Sequence, residues 1–146
     1  MHVSKFGGDE RDMRILIAED DMVSRRFLFE FLSGYGECDM AADGLEALEA
    51  FLRSLRDNKP YDLICLDIMM PKVDGVKALK HIRDLEIRRG ILPEKRVRII
   101  MTTALAKSQL VQKAFEIGCD AYAAKPVVTA GFIDILKKLD LIKQED

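Results

Sequence analysis

The 146 residues hold no apolar stretch long enough to cross a membrane. The longest uninterrupted runs, such as Leu63-Ile64-Cys65-Leu66, last only a few residues, where a spanning helix needs about 20. Neither sign of charge is in excess. Twenty-three Lys and Arg stand against 25 Asp and Glu, a formal charge of −2, which leaves no electrostatic footprint for nucleic acid or an anionic lipid surface. Cysteine is scarce: Cys38, Cys65 and Cys119 are widely spaced and show none of the paired C-x-x-C spacing of zinc or redox sites. They read as reduced, mostly buried thiols. Residues 1–12 carry Lys5, Gly7-Gly8, Asp9, Glu10 and Arg11 without an apolar core, so they do not read as a secretory signal and a cytoplasmic location is the expectation.

What is present describes an ordinary globular chain, 49% hydrophobic and 33% charged with nine glycines and four prolines. At this length folding buries roughly 68–70% of the surface the unfolded chain exposes, so no disulfide or structural metal is required. The expected organisation is a flexible leader over residues 1–12 and one domain over residues 13–146, with no linker, repeat or second domain.

From Met13 onward, short apolar runs alternate with longer amphipathic segments, the pattern of βα units around a parallel sheet. Five strands are predicted: Arg14–Ala18, Cys38–Ala41, Leu63–Leu66, Val97–Met101 and Ala121–Ala123. The third and fourth are the most apolar, as expected of strands buried on both faces near the sheet centre. Helical stripes follow at 3.6-residue spacing: Val23, Phe27, Leu28, Phe31 and Leu32; Leu45, Leu48, Leu52 and Leu55; Phe132, Ile135, Leu136 and Leu139. Gly34 with Gly36, Asp43-Gly44, Asn58-Lys59-Pro60, Gly90 with Pro93, and Gly118 punctuate the junctions.

In such sheets ligands bind beyond the carboxyl ends of the strands. There the sequence places Glu19-Asp20-Asp21, Asp67, Thr102-Thr103 and Lys125-Pro126. Each alone has an ordinary reading: an aspartate as helix N-cap, a threonine as strand former, Lys-Pro as turn. Together, three carboxylates, a hydroxyl and an ammonium from four strands are not capping one helix. Carboxylates that close raise one another's pKa unless a cation screens them. Mg²⁺ fits, being held by a few carboxylates together with phosphate oxygens. Lys125 would then neutralise a phosphoryl group, Thr103 would donate to it, and Asp67 is the natural nucleophile.

These residues resemble the response-regulator receiver domains of two-component signalling, of the single-domain chemotaxis type. The resemblance runs from Met13 to about Leu141. It is carried by Ile15-Leu16-Ile17-Ala18-Glu19-Asp20-Asp21, by Leu63-Ile64-Cys65-Leu66-Asp67-Ile68-Met69-Met70-Pro71 leading to Asp74-Gly75, by Ile99-Ile100-Met101-Thr102-Thr103-Ala104, and by Tyr122-Ala123-Ala124-Lys125-Pro126. It implies an α/β, flavodoxin-like (βα)5 three-layer fold with a five-stranded parallel sheet in the order 2-1-3-4-5. It further implies a signalling domain rather than an enzyme acting on a substrate. Asp67 would accept a phosphoryl group from a histidine kinase or phosphotransfer protein. Asp20, Asp67 and the backbone carbonyl of Met69 would bind Mg²⁺, with Glu19 assisting through water. Thr103 and Lys125 would hold the phosphoryl oxygens, with Thr102 as the alternative hydroxyl, and the Lys125-Pro126 bond would be cis.

Phosphorylation would draw Thr103 inward together with Tyr122, altering the face of the fourth helix, fifth strand and fifth helix toward an unidentified downstream protein. The other reading of Tyr122 is a half-buried aromatic on an edge strand. Met69 and Leu105 stand where the family can hold polar side chains, which predicts slow self-dephosphorylation, since neither orients water. The charged stretch from Arg83 to Arg98 reads as a solvated face in preference to a partner site.

A haloacid-dehalogenase-type phosphatase would need an aspartate where Met69 stands. A nucleotide module would need a phosphate-cradling loop where Glu19-Asp20-Asp21 would repel phosphate. Two readings stay open beside the main one: a receiver excised from a larger regulator, and a binding module whose site goes unphosphorylated.

Overall fold

The computed structural model describes residues 13–104 and 108–144. The expected leader over 1–12 and the position of Leu105 lie outside the described residues. Five βα units run in the order β1 (Met13–Ala18), α1 (Met22–Leu32), β2 (Gly36–Ala41), α2 (Gly44–Arg56), β3 (Leu63–Asp67), α3 (Gly75–Arg88), β4 (Arg98–Thr103), α4 (Gln109–Ile117), β5 (Ala121–Ala124) and α5 (Thr129–Lys138). A 3₁₀ turn at Pro93–Lys95 precedes β4. The strands form one parallel sheet in the order β2-β1-β3-β4-β5, as expected, with β3 central and wholly buried.

Helix starts follow local chemistry. Asp21, Asp43 and Asp74 each accept a hydrogen bond from the backbone N–H three residues on, at 2.8, 2.8 and 2.9 Å, which satisfies donors that a helix's first turn leaves unpaired. Glu46 reaches back to the Ala42 N–H at 2.8 Å, so the start of α2 is closed from both sides. Asp21 thus takes the ordinary capping role. Asp67 caps no helix.

The period-two alternation of the strands divides the core. Leu16, Ala18, Ile64, Leu66, Ile99 and Met101 face α2, α3 and α4, packing with Phe51, Leu79 and Ile82. Ile15, Ile17, Leu63, Cys65 and Ile100 face α1 and α5, packing with Leu28, Leu32, Phe132 and Leu136. The stripe expected on α2 is rotated. Ala47 and Phe51 are buried while Leu45 and Leu52 are exposed, because Gly44 seats the helix so close to Val73 that a Cβ there would lie 1.7 Å from its carbonyl oxygen. On α1 the inward residues are Leu28 and Leu32, and Val23 and Phe27 are exposed. Two strand ends lie two residues from expectation, and four others lie one residue from it. β2 begins at Gly36, and β4 runs through Thr103 because its pairing with Asp67 and Ala124 continues to the last residue.

The solvated face expected of Arg83–Arg98 needs correction at two positions. Arg88, Arg89, Glu94 and Lys95 are exposed, but Arg83 and Glu86 are 9% and 1% exposed. They lie on the inner side of α3, with Leu79 and Ile82. The Arg83 guanidinium donates to Glu86 Oε1 at 2.7 Å, Val97 O at 2.8 Å, Gly118 O at 3.0 Å and Asp120 Oδ2 at 3.0 Å. Glu86 Oε2 accepts from the Val97 N–H, and Asp120 Oδ2 from the Ile99 N–H, both at 2.8 Å. This network ties α3 to the entry of β4 and to the α4–β5 junction, at the end of the sheet away from the strand carboxyl termini. Cys119, beside it, is buried, which pushes its thiol up to about 11 and keeps it inert.

Candidate functional site

At the carboxyl edge of the sheet the chain gathers four charged groups from three segments. Glu19 follows β1, is fully buried, and its backbone N–H donates to Ala41 O at 3.0 Å, which extends the sheet one residue past the strand. Asp20 is exposed. Asp67 closes β3 at 3% exposure. Lys125 follows β5 and reaches across the end of β4 to place Nζ 2.5 Å from Glu19 Oε1 and 3.1 Å from Asp67 Oδ2. Glu19, Asp20 and Asp67 each offer a carboxylate oxygen, all within 4.8 Å of one another.

Local backbone geometry fixes Asp67. The Met69 N–H donates to its Oδ1 at 3.3 Å, and the Ile68 and Gly75 backbones tie the following loop to Thr102 O and Ile68 O. Gly75 is required there, since a Cβ at that position would stand 2.1 Å from Asp67 O. Thr103 ends β4 at 1% exposure, and its carbonyl accepts from the Lys125 N–H at 2.8 Å, linking the peptides that carry the hydroxyl and the ammonium. The Lys125-Pro126 bond is cis, as expected. Tyr122 stands three residues before Lys125 on the edge strand β5, 38% exposed, its ring edge-on to Phe115 of α4 at 6.1 Å.

The electrostatics express crowding. Burial, then hydrogen bonding to Glu19 and its charge, push Asp67 up to about 7, with Lys125 acting against them. Burial works to lower the Lys125 ammonium, and its contacts with Glu19 and Asp67 outweigh that and leave it raised. Lys125 thus pairs with two of the three carboxylates, Glu19 and Asp67. An all-oxygen donor set with surplus negative charge suits a hard divalent cation, and the residues present fit Mg²⁺.

Sequence reasoning missed three features. Arg25 of α1 donates to the Glu19 and Asp20 carbonyls at 2.8 and 3.3 Å and so clamps the acidic loop; a cation one turn inside the helix was the available sign. A cavity of about 200 Å³, lined by Glu19, Val23, Phe27, Leu28, Lys125 and Val127, opens beside the ion pair. Exposed Met22, Val23 and Met69 rim the site.

The model of the response regulator receiver domain matches residues 15–137. The chain belongs to that family. This receiver is 31% identical over 116 residues to the chemotaxis protein CheY of Treponema pallidum, covering 78% of the chain and 73% of that protein. Among solved structures it resembles a chain of the CheX–CheY–BeF3–Mg²⁺ complex of Borrelia burgdorferi, at a TM-score of 0.76 and 28% identity, covering 92% of each chain. It also resembles a chain of the complex between the Saccharomyces cerevisiae histidine phosphotransfer protein Ypd1 and the receiver domain of Ssk1, at a TM-score of 0.74 and 27% identity over 93% of the receiver and 96% of that chain. The receiver spans only 12% of the rice histidine kinases and 7% or less of the Dictyostelium hybrid kinases that it also matches. Among the described residues no helix is long and apolar enough to cross a membrane.

Proposed function

We propose that this receiver takes a phosphoryl group from a phosphohistidine onto Asp67 and passes the change in charge to a protein partner. The observation that carries the reading is the buried Asp67 carboxylate held between the Met69 N–H and the Lys125 ammonium, with Glu19 and Asp20 beside it. An oxygen of Asp67 attacks phosphorus, the phosphorus–nitrogen bond of the donor histidine breaks, and the imidazole leaves with the electron pair. Lys125 turns its charge to the phosphoryl oxygens, and Thr103 donates its hydroxyl to them. Asp20, Asp67 and the Met69 carbonyl are the residues to hold Mg²⁺, with Glu19 assisting through water. The ion, when bound, supplies charge neutralisation and orientation of the donor's phosphoryl group. Thr103 and Tyr122 form the switch, and the α4–β5–α5 face the output. Exposed Met22, Val23 and Phe27, beside the acidic loop, offer the donor protein an apolar contact. The work is stoichiometric signalling, with self-dephosphorylation as the only turnover.

Residues 13–146 act as one receiver unit in the cytoplasm, where the free thiols of Cys38, Cys65 and Cys119 stay reduced. The match to short parts of much longer histidine kinases favours, as a second reading, a receiver that works inside a larger regulator.

Intact-mass measurement after incubation with acetyl phosphate tests the proposal. One phosphoryl group is expected on the wild type with Mg²⁺, and none without Mg²⁺ or in Asp67→Asn. Absence of uptake in every condition, with no binding of a beryllium fluoride complex, leaves only the unphosphorylated binding module. A second expectation concerns lifetime. Met69 is 58% exposed beside Asp67 and its side chain carries no N–H or O–H to orient a hydrolytic water, so decay of phospho-Asp67 is slow and Met69→Asn quickens it several-fold. Equal decay in the two proteins would remove Met69 from the account of lifetime.

A further inference from the structure

Thr102 stands beside the site with its hydroxyl buried and without a hydrogen-bond partner, in a residue 1% exposed. Interior hydroxyls are as a rule paired, because an unmade hydrogen bond forfeits the solvation it gave up. Its place in the sheet says what it faces. Thr102 is the register partner of Asp67. Cys65 and Ile100, two residues earlier on each strand, both line the α1/α5 side of the core, so Asp67 and Thr102 face that side together. Neighbouring strands lie about 4.8 Å apart, so Thr102 and Asp67 are side-by-side neighbours on that face.

Lys125 shares that side. It lines the cavity against α1 with Glu19, Val23 and Phe27. Its side chain starts beyond β5 and ends at carboxylates following β1 and closing β3, so it crosses β4 close to its end, of which Thr102 is the penultimate residue. An ammonium has three N–H donors, and Glu19 and Asp67 account for two.

We propose that Thr102 is a positioning residue for Lys125, its hydroxyl accepting the ammonium when a divalent cation is held by Glu19, Asp20 and Asp67. This rests on the phosphoacceptor reading above. Lys125 is the counter-charge of Glu19 and Asp67. With a divalent cation held by the carboxylates, that counter-charge would be supplied otherwise and the ammonium would be repelled. Lys125 withdraws along its own path over β4, and the unpaired hydroxyl lies on that path. An acceptor already in place favours the withdrawal and so tightens metal binding. It also keeps the ammonium next to Asp67, ready for phosphoryl oxygens.

Calorimetric titration of the whole chain with MgCl2 alone tests this without phosphoryl transfer. Thr102→Val keeps the shape and removes the hydroxyl, and is expected to weaken Mg²⁺ binding roughly two- to tenfold, the range of one hydrogen bond. Thr102→Ser is expected to bind as the wild type does. Metal-free melting should show Thr102→Val at least as stable as the wild type, since it deletes an unpaired buried group. Should valine disturb the fold, Thr102→Ser against Thr102→Ala repeats the comparison between two proteins that both lack the methyl group. Wild-type Mg²⁺ affinity in Thr102→Val and Thr102→Ala overturns the role of Thr102. If the wild type still gains its phosphoryl group, the phosphoacceptor reading survives that result; if the wild type neither binds Mg²⁺ nor gains mass, both fall.

Discussion

Lys125→Met is expected to cut phosphoryl uptake from acetyl phosphate by roughly 10²–10³-fold, the range for removing one preorganised donor from developing charge. It should also extend the pH dependence of stability to higher pH and make stability there depend more on Mg²⁺ than it does in the wild type. Methionine keeps much of the apolar stem and removes the charge that sits 2.5 Å from Glu19 and 3.1 Å from Asp67. Glu19 is fully buried and Asp67 nearly so, and a buried ion pair that loses one partner costs about 3–5 kcal/mol. The upper part of that range does not apply, because Asp67 can take up a proton. Burial and the neighbouring Glu19 raise its folded-state pKa to about 7 from the ordinary carboxylate value of 3.8. Between those values the folded state binds more protons than the unfolded one, so stability falls as pH rises. The stabilising contribution of protonated Asp67 is complete below about pH 4 and lost as pH passes 7.

Without Lys125, which acts to lower Asp67, that window extends upward. The variant should therefore lie close to the wild type at pH 5 and well below it at pH 8, and Mg²⁺ should restore most of the difference at pH 8. Denaturant titrations at the two pH values, with and without Mg²⁺, provide the measurement. A stability difference that ignores both pH and Mg²⁺ would mean the Lys125 contacts do not govern the charge state of the site.

The parts of this site that could be read from sequence are those whose chemistry is local. Leu63-Ile64-Cys65-Leu66 announces a strand buried on both faces, and it is the central strand. Asp21, Asp43 and Asp74 cap helices because an aspartate before a helical run has one efficient use. The acidic loop, Asp67 and Lys125 were legible as strand-end residues in an open parallel sheet, where topology alone brings them together. The strand order itself came from the resemblance. What was not legible depends on register and helix rotation. That Thr102 shares a face with Asp67 follows from a pairing between strands 35 residues apart in the chain, which no local pattern encodes. The outward turn of Leu45 and Leu52 follows from how closely Gly44 lets α2 approach Val73. Arg83 and Glu86 read as surface because Arg and Glu almost never go inside unless paired, and their partners, Val97, Gly118 and Asp120, lie 11 to 37 residues away.

That buried network should bear on stability as strongly as Lys125 bears on chemistry. Arg83→Ala strands Glu86, 1% exposed, without its cation, and it leaves the Val97 and Gly118 carbonyls without their donor. A loss of about 3–5 kcal/mol is expected, a third or more of what many domains of this size possess. Glu86→Leu should cost less, about 1–3 kcal/mol, by leaving the Val97 N–H without its acceptor, because the guanidinium keeps Asp120 Oδ2 and the Val97 and Gly118 carbonyls. The double variant Arg83→Met/Glu86→Leu should recover a substantial part, because two apolar side chains do not carry the desolvation of one unpaired charge. A double-mutant cycle by urea denaturation reads this directly. Additive losses would mean that Arg83 and Glu86 act separately, and single losses below about 1 kcal/mol would place the pair among surface ion pairs after all. The network also lies at the opposite end of β4 from Thr103. Well below its melting temperature, Arg83→Ala should therefore take up phosphoryl at the wild-type rate. A slowed rate in the folded variant would instead mean that the anchorage of α4 and β5 at their distal ends reaches Thr103 and Lys125 through the strands that carry them.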